Sequence, residues 1–317
     1  MRALLIVNPF ATTSVAKCGE ILAHALGDKV HFEVRTTSHR GHASEIAAEA
    51  AKGGIDLVVV HGGDGTINEV VNGMVPAPVD GKVPTASIPK LAILPGGSAN
   101  VFARSLGIPS SPAKAAQQLA RLLAAGEDRR VGLGWAETQW FTFAAGLGFD
   151  AAVCELIDEQ RAHGKSANPL RYVRTAFRAF FASDREKPSL TIYRPGHPPA
   201  PDLFFAFISN TSPWTYFGLL PVHTNAKTRI ESGLGVFALR TMDLFPILAT
   251  AGQMLALPGG PATKQILRDD NVNSVRLSST RPLPFQLDGD FIDNRTEIEF
   301  FAVPDTLTVV APPKTAG

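Results

Sequence analysis

Short apolar runs, each followed by a turn of glycine, proline or polar residues, dominate the first part of the chain. Ala3–Val7 and Leu91–Leu94 are apolar at every position, which is typical of strands buried on both faces of a parallel sheet. The pattern predicts strands at Ala3–Val7, Val30–Thr36, Ile55–Val60 and Leu91–Leu94, and helical stretches at Val15–Leu26, His42–Ala51, Ile67–Asn72, Val101–Leu106 and Pro112–Ala125. Strands that alternate with helices indicate a doubly wound α/β sheet.

The pattern of hydrophobic and polar residues changes near residue 130. From there on, short segments in which the two kinds alternate are separated by turn residues. Strands are predicted at Arg130–Glu137, Trp140–Ala145, Ser189–Tyr193, Leu203–Ser209, Gly235–Arg240, Ser274–Ser278, Phe285–Asp288, Thr296–Phe301 and Thr306–Val310. Many short strands with turn signals between them favour an antiparallel β-sandwich. We therefore predict an α/β domain over residues 1–128, followed by an antiparallel β-sandwich domain over residues 129–303.

The composition supports two packed domains. The chain has 317 residues, of which 45% are hydrophobic and 19% charged, enough apolar material for two cores. The formal net charge of +1 gives no overall attraction for nucleic acid. Cys18 and Cys154 lie far apart without metal-ligand spacing, so a disulfide framework is not expected. No apolar run approaches the roughly 20 residues of a transmembrane helix, which predicts a cytoplasmic protein.

One helical stretch in the second part of the chain is basic on one side. Between Gln160 and Ala182 there are five basic residues and no acid, and Arg171, Arg174 and Arg178 recur at helical spacing. Residues at this spacing share a helix face, and a basic amphipathic helix can lie on an anionic membrane surface. A solvated basic face, on a helix that packs its aromatic residues against the β domain, is the alternative.

The clearest chemistry lies in the turn Gly62-Gly63-Asp64-Gly65-Thr66, between a predicted buried strand and a helix N-terminus. Glycine lets the backbone approach a ligand closely, because it has no Cβ atom. The helix N-terminus offers unpaired N–H groups and the positive end of the helix dipole. A phosphate fits this arrangement, and the Asp64 carboxylate is placed to bind Mg²⁺ carried by that phosphate. A plain strand-to-helix turn is the alternative.

Two further polar turns also follow predicted strands directly. They are Asn8-Pro9 and Pro95-Gly96-Gly97-Ser98-Ala99-Asn100. In open α/β sheets, ligands bind beyond the carboxyl ends of the strands. The three turns are therefore expected to line one crevice.

Four motifs together resemble the diacylglycerol kinase catalytic-domain family, which includes the sphingosine kinases and bacterial soluble lipid kinases. They are Asn8-Pro9, Gly62–Thr66, the ten-residue stretch from Pro95 to Arg104, and Asp288-Gly289-Asp290. The glycine turn alone is also similar to that of NAD kinases, and the Pro95–Arg104 stretch separates the two families. The version of these motifs in this chain looks most like that of actinobacterial diacylglycerol kinases.

The resemblance implies ATP-dependent phosphorylation of a lipid hydroxyl, with diacylglycerol as the expected acceptor and phosphatidic acid as the product. It also implies a nucleotide-binding α/β domain followed by a β-sandwich, with the active site in the cleft between them. The last segment, residues 304–317, is expected to return to the first domain. The protein would act at the inner face of the membrane, as a peripheral enzyme.

The resemblance also implies roles for individual residues. ATP is expected to contact Asn8, Pro9, Thr12, Thr37, Gly62, Gly63, Asp64, Gly65, Thr66, Asn68, Gly96, Gly97, Ser98 and Asn100. Asp64 would organise the Mg²⁺ bound to ATP, directly or through water. Asp290 stands where the family has the glutamate that is proposed to take the proton from the lipid hydroxyl, so Asp64 and Asp290 are the expected catalytic residues. Taken alone, Asp288-Gly289 is also a hairpin signal.

The chain departs from the family pattern at several positions. The first loop, Phe10-Ala11-Thr12-Thr13, lacks the family's glycine, and Val101 replaces a common aspartate. Bacterial members hold a structural Mg²⁺ at an acidic turn in the β domain. Here the matching segment contains Arg229, Ser232 and Leu234, and Ser232 replaces the second acid. A hard cation needs carboxylate oxygens, so that structural site is not expected.

Other interpretations stay open at this point. An NAD-kinase-like enzyme with a soluble acceptor fits the glycine turn. A catalytically inactive regulator that binds nucleotide or lipid fits the substitutions. Trp214, Tyr216, Phe217, Leu219 and Leu220 are interpreted as core, with a lipid entry surface as the alternative. A homodimer is also left open.

Overall fold

The computed structural model describes residues 1–9, 31–84, 87–148, 151, 187–256 and 263–313. Several sequence predictions fall outside these residues. They concern the helix at Val15–Leu26, the nucleotide contact of Thr12, both cysteines, and the basic helix with Arg171, Arg174 and Arg178. Within the described residues the chain divides into two compact units, one formed by Met1–Leu133 with Val303–Gly317 and the other by Gly134–Ala302.

The first unit is built on a parallel sheet. Its strands are β1 (Arg2–Val7), β2 (His31–Thr36), β3 (Leu57–Gly62) and β4 (Lys90–Pro95), and its helices are α1 (His42–Lys52), α2 (Asp64–Met74), α3 (Val101–Ser105) and α4 (Pro112–Ala125). The strand order is β2-β1-β3-β4, and each neighbouring pair is parallel. β3 is buried along its whole length, and β1 and β4 are buried after their first residue. This agrees with the apolar runs in the sequence.

Local signals in the sequence explain where these helices begin, end and pack. Pro112 starts α4, where a missing N–H costs nothing, and Gly126 ends it with a positive φ of 70°. Helices α1 and α2 approach closely at Gly73, where an added Cβ atom would lie 2.1 Å from the Ser44 carbonyl oxygen. β5 (Arg129–Ala136) then leads from the first unit into the second.

The second unit is mainly antiparallel. Its elements are β6 (Gln139–Phe141), β7 (Ala144–Leu147), β8 (Leu190–Tyr193), β9 (Ala200–Leu203), β10 (Phe205–Ser209), β11 (Thr215–Phe217), β12 (Leu220–Val222), β13 (Leu234–Leu239), α5 (Leu244–Ala256), β14 (Ile266–Val272), β15 (Ser274–Leu287) and the start of β16 (Asp290–Val309). The order β14-β13-β10-β7-β15 forms one group of strands, and β9-β8-β15 forms another.

Strand β15 belongs to both groups because its two ends pair with different strands. Its first half pairs with β8 at Arg276–Ser279, and its end pairs with β7 at Phe285–Leu287. Side chains from both groups, including Ile192, Ile208 and Leu277, form one buried core. The opposite face of β10 and β13 carries Phe207 and Phe237 and packs against α5.

Some elements differ from the sequence predictions. The strand expected at Trp140–Ala145 is broken into β6 and β7, because backbone N–H groups at the break bind the Asp288 carboxylate. The strands expected at Ser274–Ser278 and Phe285–Asp288 are parts of the single strand β15. Helix α5 and the hairpin β11–β12 were not predicted. Among the helices that the structure describes, none combines the length and apolar character needed to cross a membrane.

Candidate phosphate-binding site

The polar turns of the first unit meet at one edge of its sheet. The register aligns Val7 with Thr36 and His61, and Gly62 with Pro95, so the carboxyl ends of the four strands are level. Backbone hydrogen bonds extend this alignment into the turns: Asn8 N donates to His61 O at 2.9 Å, Thr37 N to Val7 O at 2.8 Å, and Gly96 N to Gly62 O at 2.8 Å. The sheet therefore brings Asn8, Thr37, Gly62 and Gly96 together.

Two glycine turns pack backbone against backbone at this edge. A Cβ atom added to Gly97 would lie 2.7 Å from the Cα atom of Gly63, and one added to Gly63 would lie 3.2 Å from the Cα atom of Gly97. A Cβ atom on Gly62 would lie 2.7 Å from that of Thr66. The glycines are thus required for the close approach of the turns after β3 and β4.

The second turn is held by an asparagine. Asn100 is 3% exposed and adopts the left-handed conformation, with φ of 48°. Its side-chain oxygen accepts from Gly97 N at 2.9 Å, and its Nδ2 donates to Gly97 O at 2.7 Å. Asparagine tolerates left-handed backbone better than most residues. Asn100 therefore fixes the turn, while Ser98 at its tip is exposed.

The Asp64 carboxylate caps a neighbouring helix. Its Oδ2 accepts from Val101 N at 3.1 Å and its Oδ1 from Phe102 N at 3.2 Å, at the N-terminus of α3. Asp64 therefore ties the two glycine turns together.

Helix α2 presents its N-terminus at the same edge. It begins at Asp64, and the first N–H groups of an α-helix have no acceptor within the helix. The hydroxyl of the buried residue Thr66 accepts from Asn8 Nδ2 at 2.9 Å, which links the first turn to this helix. Further along α2, Asn72 Nδ2 donates to Asn68 Oδ1 at 3.0 Å.

A second acid on α2 was missed by the sequence analysis. Glu69 Oε1 accepts from Gly41 N at 2.9 Å, and Oε2 accepts from Ala43 N at 3.2 Å, so this carboxylate caps the N-terminus of α1. Nothing in the local sequence signals a cap between residues this far apart. His61, by contrast, is a packing residue: it is fully buried, and its Nδ1 lies 3.1 Å from Leu94 O.

The turn Asp288-Gly289-Asp290 lies in the second unit and joins β15 to β16. Asp288 and Gly289 have positive φ values of 49° and 84°, as a tight two-residue hairpin turn requires. Leu287 pairs with Asp290, which is the first residue of β16 and is half-buried. The hairpin interpretation of this motif is therefore correct, and it gives Asp290 a fixed backbone position.

The Asp288 carboxylate is buried and fully hydrogen-bonded. It accepts from Thr142 N and Thr142 Oγ1 at 2.7 Å, from Phe143 N at 2.9 Å and from Ala144 N at 3.0 Å. Burial raises the pKa of this carboxyl above its usual value, and the four hydrogen bonds offset part of that rise. Asp288 thereby fastens the turn that carries Asp290 to the break between β6 and β7.

The segment that matches the family's acidic turn is closed by the Ser232 hydroxyl. Ser232 Oγ accepts from Arg229 N at 3.2 Å and donates to Asn271 Oδ1 at 2.6 Å, and Leu234 is buried. Neutral groups thus hold this turn. Across the part of the chain that the structure describes, no three His, Cys, Asp or Glu side chains come together as a metal-binding cluster.

The structure places the predicted residues in two groups. Those at the edge of the first unit are Asn8, Pro9, Thr37, Gly62, Gly63, Asp64, Gly65, Thr66, Asn68, Gly96, Gly97, Ser98 and Asn100. Asp290 lies in the second unit. Trp214 stacks on Phe207 with ring centroids 4.4 Å apart, as expected of core, whereas Leu219 and Leu220 are exposed, which corrects that interpretation for both leucines.

Comparisons with known proteins agree with the motifs. Residues 2–134 match the family model described as "Diacylglycerol kinase catalytic domain". The chain is 38% identical over 152 residues to the diacylglycerol kinase of Bacillus subtilis (strain 168), covering 46% of each protein. It is 37% identical over 123 residues to the probable lipid kinase YegS-like of Chromohalobacter salexigens, covering 39% of this chain and 36% of that protein. The match thus spans less than half the length of these relatives.

Solved structures extend the likeness to the whole fold. A putative diacylglycerol kinase from Bacillus anthracis str. Sterne superposes with a TM-score of 0.75 at 22% identity, covering 98% of this chain and 97% of that chain. A second structure of a diacylglycerol kinase from the same strain gives a TM-score of 0.71 at 21% identity. The predicted fold class, an α/β domain followed by an antiparallel β domain, is confirmed.

Proposed function

We propose that the protein is an ATP-dependent lipid kinase that transfers the γ-phosphoryl group to a lipid hydroxyl, because residues 2–134 match the model of the diacylglycerol kinase catalytic domain. One observation carries the proposal: the Gly63 and Gly97 backbones meet where four parallel strands end and α2 begins. This arrangement offers a phosphate chain backbone N–H groups and a positive dipole end.

The first unit supplies the nucleotide site in this proposal. Phosphoryl transfer asks a protein mainly for positioning and charge neutralisation. The glycine turns would cradle the phosphates, with Asn8, Thr37 and Asn100 holding the surrounding loops in register. The side chains thus shape the turns, and the backbone provides most of the donors.

The residues present fit a magnesium ion carried by ATP. Mg²⁺ in kinase sites is bound by one or two carboxylates together with substrate phosphates and water. Asp64 is the carboxylate that borders both glycine turns, where it also caps α3. Bound there, Mg²⁺ would neutralise charge on the phosphates.

Asp290 is proposed as the base that takes the proton from the acceptor hydroxyl. A carboxylate can do this when it lies within hydrogen-bond reach of the hydroxyl. The buried Asp288 carboxylate holds the hairpin turn, and so limits the freedom of Asp290. Aspartate is one methylene shorter than glutamate, so this role requires the backbone of residue 290 to lie closer to the hydroxyl than a glutamate would need.

Diacylglycerol is the proposed acceptor, and phosphatidic acid the product. The Bacillus subtilis relative is named a diacylglycerol kinase, and the other relative is named a lipid kinase. These names favour a lipid acceptor over the NAD-kinase-like alternative. The protein would work as a cytoplasmic enzyme at the inner face of the membrane, and attachment through Arg171, Arg174 and Arg178 stays a prediction.

A radiolabelled ATP transfer assay tests the proposal. Mixed micelles would contain diacylglycerol, sphingosine or monoacylglycerol, with NAD as a soluble acceptor in a parallel reaction. We expect Mg²⁺-dependent transfer to diacylglycerol above the other acceptors. Transfer to NAD alone would favour the NAD-kinase-like alternative. ATP binding without transfer to any acceptor would favour an inactive regulator.

A further inference from the structure

Helix α5 is apolar on its exposed side as well as on its packed side. Its 13 residues, Leu244–Ala256, contain no ionisable side chain. Met254 and Thr250 are buried, but Phe245 is 83% exposed, Leu248 46% and Leu255 42%. A helix on the surface of a protein in water normally directs charged or polar residues outward. The outer side of α5 is therefore built for an apolar environment.

The hairpin β11–β12 adds to this surface. Its backbone joins α5 where His223 N donates to Met254 O at 2.8 Å, and Val222 shares a buried cluster with Met254. The turn of the hairpin exposes 86% of Leu219 and 56% of Leu220. We name Leu219, Leu220, Phe245, Leu248 and Leu255 the apolar surface.

The concentration of exposed apolar side chains in these two elements is unusual. In the described residues, eight large hydrophobic side chains are exposed, and five of them form the apolar surface. The two elements are separated in sequence by β13 and its flanking turns, yet they pack together. Single exposed hydrophobic residues need no explanation, but grouped ones mark an interaction site.

We infer that the apolar surface docks on a lipid bilayer, an inference that rests on the proposed function. A kinase for a lipid with long acyl chains must meet its acceptor in a membrane, and the apolar surface lies on the same unit as Asp290. The bilayer is the occupant that such a surface fits, because insertion of leucine and phenylalanine needs no hydrogen-bonding partner.

The chemistry of the surface favours a bilayer over a protein partner. Protein–protein interfaces form about one hydrogen bond per 100–200 Å² of buried area, and their rim is polar. None of the five side chains of the apolar surface can form such a bond.

Charged residues flank α5 in the chain, between the end of β13 and the start of β14. Arg240 and Lys264 are exposed there, and Arg240 N donates to Gln265 O at 2.9 Å. Asp243, at the start of α5, accepts from the Thr241 hydroxyl at 2.8 Å. Basic residues that flank an apolar helix match the headgroup region of an anionic membrane.

Vesicle co-sedimentation tests the inference without using activity. The full chain would be mixed with phosphatidylethanolamine–phosphatidylglycerol vesicles, in the wild-type form and as the double variant Leu219→Ser/Phe245→Ser. Both side chains are almost fully exposed, so the variant is expected to keep the wild-type melting temperature. We expect its partition coefficient to fall at least tenfold. Val79→Ser, which changes an exposed apolar residue of the first unit, is the matched control.

Unchanged partition of the double variant would overturn the inference. So would a wild-type oligomer, seen by analytical ultracentrifugation, that the same substitutions dissociate, because the surface would then cover a second copy of the chain. Transfer to a short-chain diacylglycerol dissolved as monomers separates this inference from the proposed function. Loss of vesicle binding with transfer to the monomeric acceptor retained supports docking, whereas absence of transfer in every form, wild type included, counts against the kinase alone.

Discussion

Gly97 and Gly63 lie back to back, so close that a Cβ atom on Gly97 would come within 2.7 Å of the Cα atom of Gly63. The backbone of residue 97 fixes the position of its Cβ atom, and the atom it would meet is backbone, so a rotamer change cannot relieve the contact. The Gly97→Ala variant is expected to lose about 1–3 kcal/mol of stability and to bind ATP more weakly. Urea unfolding and calorimetric ATP titration measure the two effects. Gly252→Ala is the control, because that helical glycine has open space around it and should gain about 0.5–1 kcal/mol.

Asp64 and Glu69 form a matched pair for separating structure from catalysis. Both lie on α2, and each caps another helix. Replacing either one by alanine should lower the free energy of unfolding by about 1–2 kcal/mol. Only Asp64→Ala should also abolish phosphoryl transfer, because Asp64 alone is proposed to bind Mg²⁺. Equal loss of transfer in both variants, measured well below their melting temperatures, would reduce Asp64 to a structural cap.

Asp290→Asn should lower kcat by roughly 100- to 10,000-fold, the usual contribution of a general base. Its ATP affinity should stay at the wild-type value, since the proposed role concerns the acceptor. Asp293→Asn is the control on the same strand, where the carboxylate forms an ion pair with Arg295 at 2.8 Å. Wild-type kcat in Asp290→Asn, across the pH range, would exclude Asp290 as the base.

The buried Asp288 carboxyl should make stability depend on pH. Burial raises its pKa, so the folded protein holds this proton more tightly than the unfolded chain. The stabilisation from that proton is present below the pKa of the unfolded chain and is lost as pH rises through the folded-state pKa. Relative to Asp288→Asn, the free energy of unfolding of the wild type should therefore fall above about pH 4, by up to about 1.4 kcal/mol per pH unit. Urea unfolding at several pH values measures this difference, and a difference that rises with pH would contradict the assignment.

In this chain, hydrogen bonds of Ser232 are expected to hold the turn that a structural Mg²⁺ holds in the bacterial family members. Ser232→Ala removes the bonds to Arg229 N and Asn271 Oδ1 and should cost about 1 kcal/mol. Without nucleotide, Mg²⁺ should leave the melting temperature of the wild type unchanged. A rise of several degrees with Mg²⁺, reversed by a chelator, would show that the second unit keeps a cation site.

The apolar pattern identified β1, β3 and β4 because burial on both faces leaves few polar positions in them. It also located the turns at Asn8, Gly62 and Pro95, since each directly follows such a run. The same reasoning failed for α5, where apolar residues surround the helix and no helical period stands out. Pro282 and Pro284 similarly concealed the continuity of β15.

The contacts that shape the site were beyond the sequence pattern. The caps provided by Asp64 and Glu69 join residues 37 and 28 positions apart, and no local rule predicts such a pairing. Burial of Asp288 likewise depends on the break after β6, which forms only when three backbone N–H groups turn towards the carboxylate. Local sequence therefore located the polar turns, and tertiary packing determines how the side chains in them are held.

The pairing of the end of β16 with β4 determines when the sheet of the first unit can be completed during translation. Its last residues belong to the first unit, where Val309 pairs with Leu91 of β4 and Val310 N donates to Leu91 O at 2.8 Å. Val303, Leu307 and Val309 are buried there. The edge of β4 therefore stays uncovered during translation until the whole second unit has emerged, and a gene fragment that stops at Leu133 encodes an unfinished sheet.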